Sequence, residues 1–306
     1  MDTVVSEAAV SLGDLYGPAA AESYRAKAPS AMRSNIANPG VYALGAFDGS
    51  RLAGVLLSLL RAPVAEIPFM HVLAAHVGTG VEQALVDATV QLYRAGGVDG
   101  ILCECLPLST MALREPFARH GFTAIEREIM TADLRSSELR AAPAKPCPAL
   151  TEAQWENVAR TLVAAYEGDP GRLLHLEVSG EPYALDFLRR VTSGSFGVSQ
   201  ADYCRVYVDG GCQGVILGCE AAPGVGFVLQ VAVHPVHRGQ GIATSLLRAQ
   251  AEVYRRCGLR RVSLGVTSNN PARRLYARMG FVTARPVEAY VWWRPGCSPL
   301  PERGGG

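Results

Sequence analysis

The segment Phe227-Val-Leu-Gln-Val-Ala-Val-His-Pro-Val-His-Arg-Gly-Gln-Gly-Ile-Ala-Thr-Ser-Leu-Leu247 decides the fold. Its first seven residues are a β-rich run closed by His234-Pro235, which predicts a strand over Phe227 to Val233. Arg238-Gly-Gln-Gly241 then turns the chain into a helix, with Ile242, Leu246, Ala249 and Val253 on one face and Gly258 where a C′ glycine would end it. A glycine-rich strand-to-helix turn leaves the first N–H groups of the helix unpaired, and the helix dipole adds partial positive charge there. Such a turn is built to hold a phosphate.

Downstream, Val262, Leu264 and Val266 alternate as a strand. Asn270-Pro271 supplies an N-cap and N1 pair, and Ala272, Leu275, Tyr276 and Met279 form the stripe of a short helix ended by Gly280. Upstream, Tyr203 to Val208 and Gly214 to Cys219 flank the turn Asp209-Gly210-Gly211, so with Phe227 to Val233 they predict an antiparallel meander. Thr151 to Tyr166 carries Trp155, Val158, Ala159, Leu162 and Val163 at helical spacing, with Thr151 as N-cap. The order is that of an α/β domain.

The same unit occurs twice. Shifted by 161 positions, His76-Val-Gly-Thr-Gly80 lies over His237-Arg-Gly-Gln-Gly241, and eight of 22 positions agree between 76–97 and 237–258. Ala118-Arg-His-Gly-Phe122 matches Ala277-Arg-Met-Gly-Phe281, and Phe47-Asp48-Gly49 matches Val208-Asp209-Gly210 as a hairpin turn. Arg135 to Ala149, with Ser136-Ser137 and prolines at 143, 146 and 148, reads as an extended, exposed connection. The expected organisation is a first unit at 1–140, a linker at 141–149, a second unit at 150–295 and a flexible tail at 296–306, which ends in Gly-Gly-Gly306.

Composition narrows the function. The chain has 306 residues, 49% of them hydrophobic, and a net charge of +1, split as −3 over 1–145 and +4 over 146–306. That balance gives no global pull on nucleic acid. The longest nearly apolar run, Leu52 to Leu60, falls short of the ~20 residues of a membrane span, and the N-terminus has no basic signal region. Eight cysteines without a CxxC pair suit buried thiols in a reducing cytoplasm. Cys103 and Cys105 alternate on one strand face as core residues, so no metal is expected.

Arg238-Gly-Gln-Gly-Ile-Ala243 resembles the Q/R-x-x-G-x-G/A motif of the GNAT acetyltransferase superfamily. Asn269-x-x-Ala272-x-x-Leu275-Tyr276 with Gly280-Phe281 resembles that family's second motif, in the right order and spacing. The resemblance covers about 203–294, with a fainter version in the first half. It implies two tandem GNAT-like domains, each a mixed, mainly antiparallel sheet flanked by helices. It also implies acetyl-CoA as cosubstrate, with its pyrophosphate on Arg238, Gly239, Gln240, Gly241, Ile242 and Ala243 and its pantetheine along Val231, Ala232 and Val233, where a strand N–H would stabilise the oxyanion. Nine arginines against one acidic residue, Glu252, over 238–278 add a positive field. Tyr276 stands where the family has its general acid, and a phenol with pKa about 10 remains a donor at neutral pH. Asn269 is a further cofactor contact or a turn residue.

An alkylamine acceptor, with pKa near 10.4, must lose a proton before it attacks. The strand from 227 to 233 has no carboxylate, and Gln230 is its one polar residue, able to orient a water. Glu220 is a candidate base at the end of the preceding strand. Glu167, Asp169, His175 and Glu177 are others, and a substrate with a neutral amine would need none. In the first copy Val77 replaces Arg238 and Phe117 replaces Tyr276, although Gly78 and Gly80 remain, so it is expected to be a degenerate domain. The predicted function is transfer of acetyl from acetyl-CoA to a small-molecule amine in secondary-metabolite biosynthesis or resistance, by a cytoplasmic monomer or homodimer. Alternatives are acetylation of a cysteinyl sugar, since the tandem layout resembles mycothiol synthase, an aminoacyl-tRNA-dependent transferase, and a non-catalytic scaffold.

Overall fold

The computed structural model describes residues 2–104, 113–167 and 169–298; Cys105 and the tail from 299 onward lie outside the described residues. The chain forms two compact units. One contains residues up to Glu126 and those from Val287 on; the other is Arg127–Pro286.

In the first unit, helices α1 (Asp2–Tyr16) and α2 (Pro18–Ile36) precede three antiparallel strands, β1 (Val41–Asp48), β2 (Arg51–Arg61) and β3 (Val64–Val72). Helix α3 (Val81–Ala95) returns the chain to β4 (Gly100–Cys103), parallel to β3, and a short helix α4 (Arg114–Ala118) follows. Strand β5 (Thr123–Asp133) crosses from the first unit into the second at Arg127.

The second unit holds α5 (Ser137–Arg140), α6 (Trp155–Ala165), α7 (Glu181–Thr192), β6 (Arg205–Val208), β7 (Cys212–Ala222), β8 (Val225–Val233), α8 (Ile242–Arg256), β9 (Arg261–Thr267) and α9 (Arg273–Arg278). The last strand, β10 (Val282–Trp293), enters the first unit at Val287. In the first unit the strand order is β1-β2-β3-β4-β10, and in the second β6-β7-β8-β9-β5. Each is a mainly antiparallel sheet with one parallel pair, flanked by helices.

The second unit's sheet has a helical layer on each face. Against one, α8 and α9 bury Leu246, Tyr254, Tyr276 and Phe281 with Val262 and Leu264 of β9. Against the other, α6 and α7 bury Val158, Leu162 and Leu188 with Val215 and Leu217 of β7. Gly226 is small because the ring of Tyr254 occupies the space a Cβ would need. The segment before α6 is extended, and it is tied to β6: Val206 N–H donates to the Pro148 carbonyl, Leu150 N–H donates to the Cys204 carbonyl, and Cys147 is buried. The helix expected from Thr151 begins as a 3-10 turn at Glu152–Gln154, with the Thr151 N–H donating to Gln154 Oε1.

Two irregularities open the middle of this sheet. Leu217 pairs with Gln230 and Gly218 with Val228, which leaves Leu229 as an extra, bulged residue in β8. The parallel β8–β9 ladder runs from Val225/Arg261 only to Val228/Leu264. Beyond that pair the two strands part, and the site lies in the gap.

Candidate functional site

The gap is a cavity lined by β8 from Val228 to Val231, β9 from Leu264 to Thr267, Asn270 and Tyr276, with Arg127, Tyr166 and His175 completing the wall. Because the β8–β9 ladder has ended, the edge of β8 past Val228 is turned to this space instead of to a strand. Val231 lines it, and Ala232 and Val233 continue the same edge.

Past Val233 the chain makes a 3-10 turn at Pro235–His237 and enters α8. Gly239 and Gly241 have φ of +77° and +75°, a left-handed backbone that suits glycine, and a Cβ on either would meet open space. Ser245 N–H bonds to the Gly241 carbonyl. The N–H groups of Ile242, Ala243 and Thr244 precede the first intrahelical bond, as in any helix start. With Arg238, Gly239, Gln240 and Gly241 exposed, the turn is an open cradle that fits a diphosphate. The Arg238 guanidinium does not point into it. Its Nη2 donates to the Ala165 carbonyl and its Nε to the Val233 carbonyl, so this side chain fastens the turn to the end of α6.

Tyr276 sits on α9 with its side chain at the cavity wall and only 7% of its surface exposed. Burial pushes its phenol up to about 12, which keeps it protonated and able to donate at neutral pH. Asn269 is exposed on the turn before α9. The adjacent Asn270 does the structural work: its Oδ1 accepts the Ala272 N–H at 2.8 Å, and it lines the cavity.

The acidic candidates separate. Glu220 does not line the cavity; its Oε1 accepts the Gly224 N–H at 2.8 Å and closes the β7–β8 turn. Asp169 caps the 3-10 turn Pro170–Leu173 by accepting the Gly171 N–H at 2.7 Å, and Glu167 is exposed. His175 and Glu177 are brought to the site by the segment between α6 and α7. Tyr166 O–H donates to Gln230 Oε1 at 2.7 Å, Gln230 Nε2 donates to Glu177 Oε1 at 2.7 Å, and His175 Nδ1 lies 3.1 Å from the same oxygen. Burial opposes the charge on Glu177, but His175, its own backbone and Gln230 more than offset it and hold the carboxyl below the usual carboxylate range. Burial raises the Tyr166 phenol well above its ordinary value.

Arg127 and Tyr166 are site residues that the sequence reading does not single out. Arg127 faces Thr267 across β5–β9, and its guanidinium lies over the neighbouring Gly265, where a Cβ would sit 3.1 Å from Nη2. The β-rich composition of β5 was the available signal, but nothing local marks it as the neighbour of β9.

The corresponding turn in the first unit has the same backbone, with φ of +77° at Gly78 and +95° at Gly80 before α3. It is filled from within. Glu82, 5% exposed, folds back so that its Oε1 accepts the Gly78 N–H at 2.9 Å. The position equivalent to Glu82 in the second unit is Ala243. Phe117, equivalent to Tyr276, is fully buried and stacks on Tyr290 with ring centroids 4.6 Å apart.

Among the described residues no cluster of three His, Cys, Asp or Glu side chains is arranged to hold a metal, and no helix is long and apolar enough to cross a membrane. Residues 174–281 match the model of the acetyltransferase (GNAT) family. No curated protein matches the chain. Among solved structures, a GCN5-related N-acetyltransferase from Sphaerobacter thermophilus is 22% identical with a TM-score of 0.67, over 97% of this chain and 95% of that one. A tandem GNAT protein from the clavulanic acid biosynthesis pathway is 19% identical with a TM-score of 0.59, over 97% and 96% of the two chains. At these identities the likeness is one of fold, along nearly the whole length of each chain.

Proposed function

We propose, from the match of residues 174–281 to the acetyltransferase (GNAT) family model and the likeness of fold, that the chain is a GNAT acetyltransferase whose second unit transfers acetyl from acetyl-CoA to the amine of a small molecule. The observation that carries this reading is the parting of β8 and β9 between an open phosphate cradle and a buried, protonated tyrosine. The cradle N–H groups from Gly239 to Ala243 receive the pyrophosphate, and the free edge of β8 from Val231 to Val233 receives the pantetheine arm and polarises the thioester carbonyl. Acetyl-CoA supplies an activated acyl group with a thiolate leaving group. Tyr276 holds the proton that this thiolate needs, and Asn270 fixes the turn that leads into its helix by accepting the Ala272 N–H. Glu220 has no part in the step, because the turn it closes uses its carboxylate.

One active site per chain is the expectation. The first unit's cradle already holds the Glu82 carboxylate, and it has no phenol at Phe117. The layout shared with the tandem GNAT protein of the clavulanic acid pathway supports a small-molecule acceptor of secondary metabolism. Calorimetric titration with acetyl-CoA tests the reading. One site per chain, abolished by Gly241→Glu, is the expected result, followed by amine-dependent release of CoA. Absence of binding overturns it, and two sites overturn the assignment of a single active unit.

A further inference from the structure

The amine that attacks a thioester must shed a proton, and the cavity places one base where it can take it. We propose that His175 is the proton acceptor of the second unit, with Glu177, Gln230 and Tyr166 as positioning residues that fix its tautomer. This inference rests on the acetyltransferase reading above and adds the base.

The hydrogen bonds run in one direction. Tyr166 has a single proton to give, and it points at Gln230 Oε1, which orients the amide of Gln230. The Gln230 Nε2 must then donate; its short contact is Glu177 Oε1 at 2.7 Å, whereas His175 Nδ1 lies at 3.5 Å, at the limit of a hydrogen bond. Glu177, held as a carboxylate, can only accept, so the His175 Nδ1 that lies 3.1 Å from the same oxygen carries the imidazole proton. The lone pair of the neutral ring is then on Nε2. His175 lines the cavity with Tyr276, and the Tyr166 ring meets the imidazole edge-on with centroids 5.6 Å apart. A carboxylate that holds Nδ1–H and leaves Nε2 to accept a proton is the arrangement that makes histidine a base in hydrolytic triads.

The segment that carries His175 and Glu177 is hydrogen-bonded at both ends. Asp169 caps the 3-10 turn Pro170–Leu173, and the Val178 N–H bonds back to the His175 carbonyl. The charged and titratable groups facing the imidazole are Glu177 on its own segment, Tyr166 on α6, Tyr276 on α9 and Arg127 on β5, and only Glu177 is within hydrogen-bond reach among the recorded contacts.

The step balances. The amine nitrogen attacks the thioester carbon and forms the C–N bond, and the carbonyl electrons move to oxygen. The nitrogen, now positively charged, gives its proton to His175 Nε2. The oxyanion collapses, the C–S bond breaks, and the thiolate takes the proton of Tyr276. The phenolate regains a proton from the imidazolium through solvent, so one proton moves from nitrogen to sulfur overall. An acceptor that arrives as an alkylammonium releases one more to water.

Two measurements test the base. In protein labelled with 15N-histidine at pH 8, the His175 ring is expected to show a protonated Nδ1 and an unprotonated Nε2; the opposite tautomer overturns the proposal even where no amine is turned over. In kinetics, CoA release is followed with 2-phenylethylamine, spermidine and glucosamine as amine probes, using the one turned over fastest. His175→Gln is expected to lower kcat by about 10²- to 10⁴-fold and to remove the acid limb of the pH–rate profile. Glu177→Gln, which keeps an acceptor but removes the charge, is expected to cost roughly tenfold in kcat with KM for the amine unchanged. The dissociation constant for acetyl-CoA should stay within twofold in both variants. Loss of acetyl-CoA binding by the unaltered protein defeats the acetyltransferase reading; an unchanged pH profile in His175→Gln with binding intact defeats the base alone.

Discussion

Ala243→Glu transplants the first unit's internal carboxylate into the second. In the first unit Glu82 stands four residues after Gly78 and its Oε1 accepts the Gly78 N–H at 2.9 Å. Gly239 and Ala243 have the same spacing, and the two turns share their backbone, with φ of +77° at both Gly78 and Gly239. A glutamate at 243 therefore reaches the Gly239 N–H without rearrangement. A hydrogen bond from a neutral N–H to a charged carboxylate contributes about 1.5–3 kcal/mol. An incoming pyrophosphate must displace that bond, so the dissociation constant for acetyl-CoA should rise roughly 10- to 150-fold at 1.4 kcal/mol per decade. The same carboxylate lies in the first turn of α8, where the helix dipole favours a negative charge by about 0.3–1 kcal/mol. Thermal stability should hold or rise slightly while affinity falls, and that opposition separates a filled cradle from a damaged fold. Calorimetric titration beside a thermal melt reads both quantities. A dissociation constant within twofold of the parent would refute the argument that Glu82 is what closes the first cradle.

Three further outcomes follow from the geometry. Tyr276→Phe should lower kcat by about 10²- to 10⁴-fold in the CoA-release assay while acetyl-CoA affinity stays within twofold, because only the donor is removed; undiminished turnover would remove Tyr276 from the chemistry. Gly226→Ala places a Cβ 2.4 Å from the fully buried ring of Tyr254, and chemical denaturation should register a loss of about 1–3 kcal/mol. The structure should also weaken at alkaline pH: the phenol of Tyr276 titrates near 10.0 when unfolded and about 12 when folded, so the unfolded state binds fewer protons in that interval. Stability is full below pH 10 and falls as pH rises toward 12, by about 1.4 kcal/mol per unit for this residue, and a denaturation midpoint that stays flat from pH 9.5 to 11.5 would contradict it.

The glycine turn before α8 and the helices around it were legible because their determinants are local. Gly239, Gly241, Gly258 and Gly280 stand where the backbone turns left-handed, and the stripes of α8 and α9 repeat at helical spacing. His175, Glu177 and Gln230 stood among the candidates, but the hydrogen bonds that join them with Tyr166 were not legible, because Gln230 and its partners are 53 to 64 residues apart in sequence. The bulge at Leu229 adds a second obstacle. Strict alternation would put Val228, Gln230 and Ala232 on one face of β8, but Val228 packs with the α8 layer and Ala232 with the α6 layer. One extra residue thus turns Gln230 toward Tyr166 and Glu177. Strands β5 and β10 carry no local mark of their partners either: β5 pairs with β9 from Arg127 onward and β10 pairs with β4 from Tyr290 onward, and neither partner is a sequence neighbour.

The two copies also explain why glycines are a poor guide to a working site. Gly78 and Gly80 keep the left-handed conformation that the strand-to-helix turn demands, so any replacement with a side chain strains the fold whether or not a ligand binds. The residue that reports on function is the one whose side chain competes with the ligand. In the first unit that residue is Glu82, which satisfies the turn from within, and in the second it is Ala243, whose methyl group offers the turn no such partner and, on the proposed reading, leaves its N–H groups for a phosphate. On the proposed reading, a single position on the first turn of a helix, Glu82 or Ala243, together with Phe117 or Tyr276, is what distinguishes a unit that has lost its chemistry from one that keeps it.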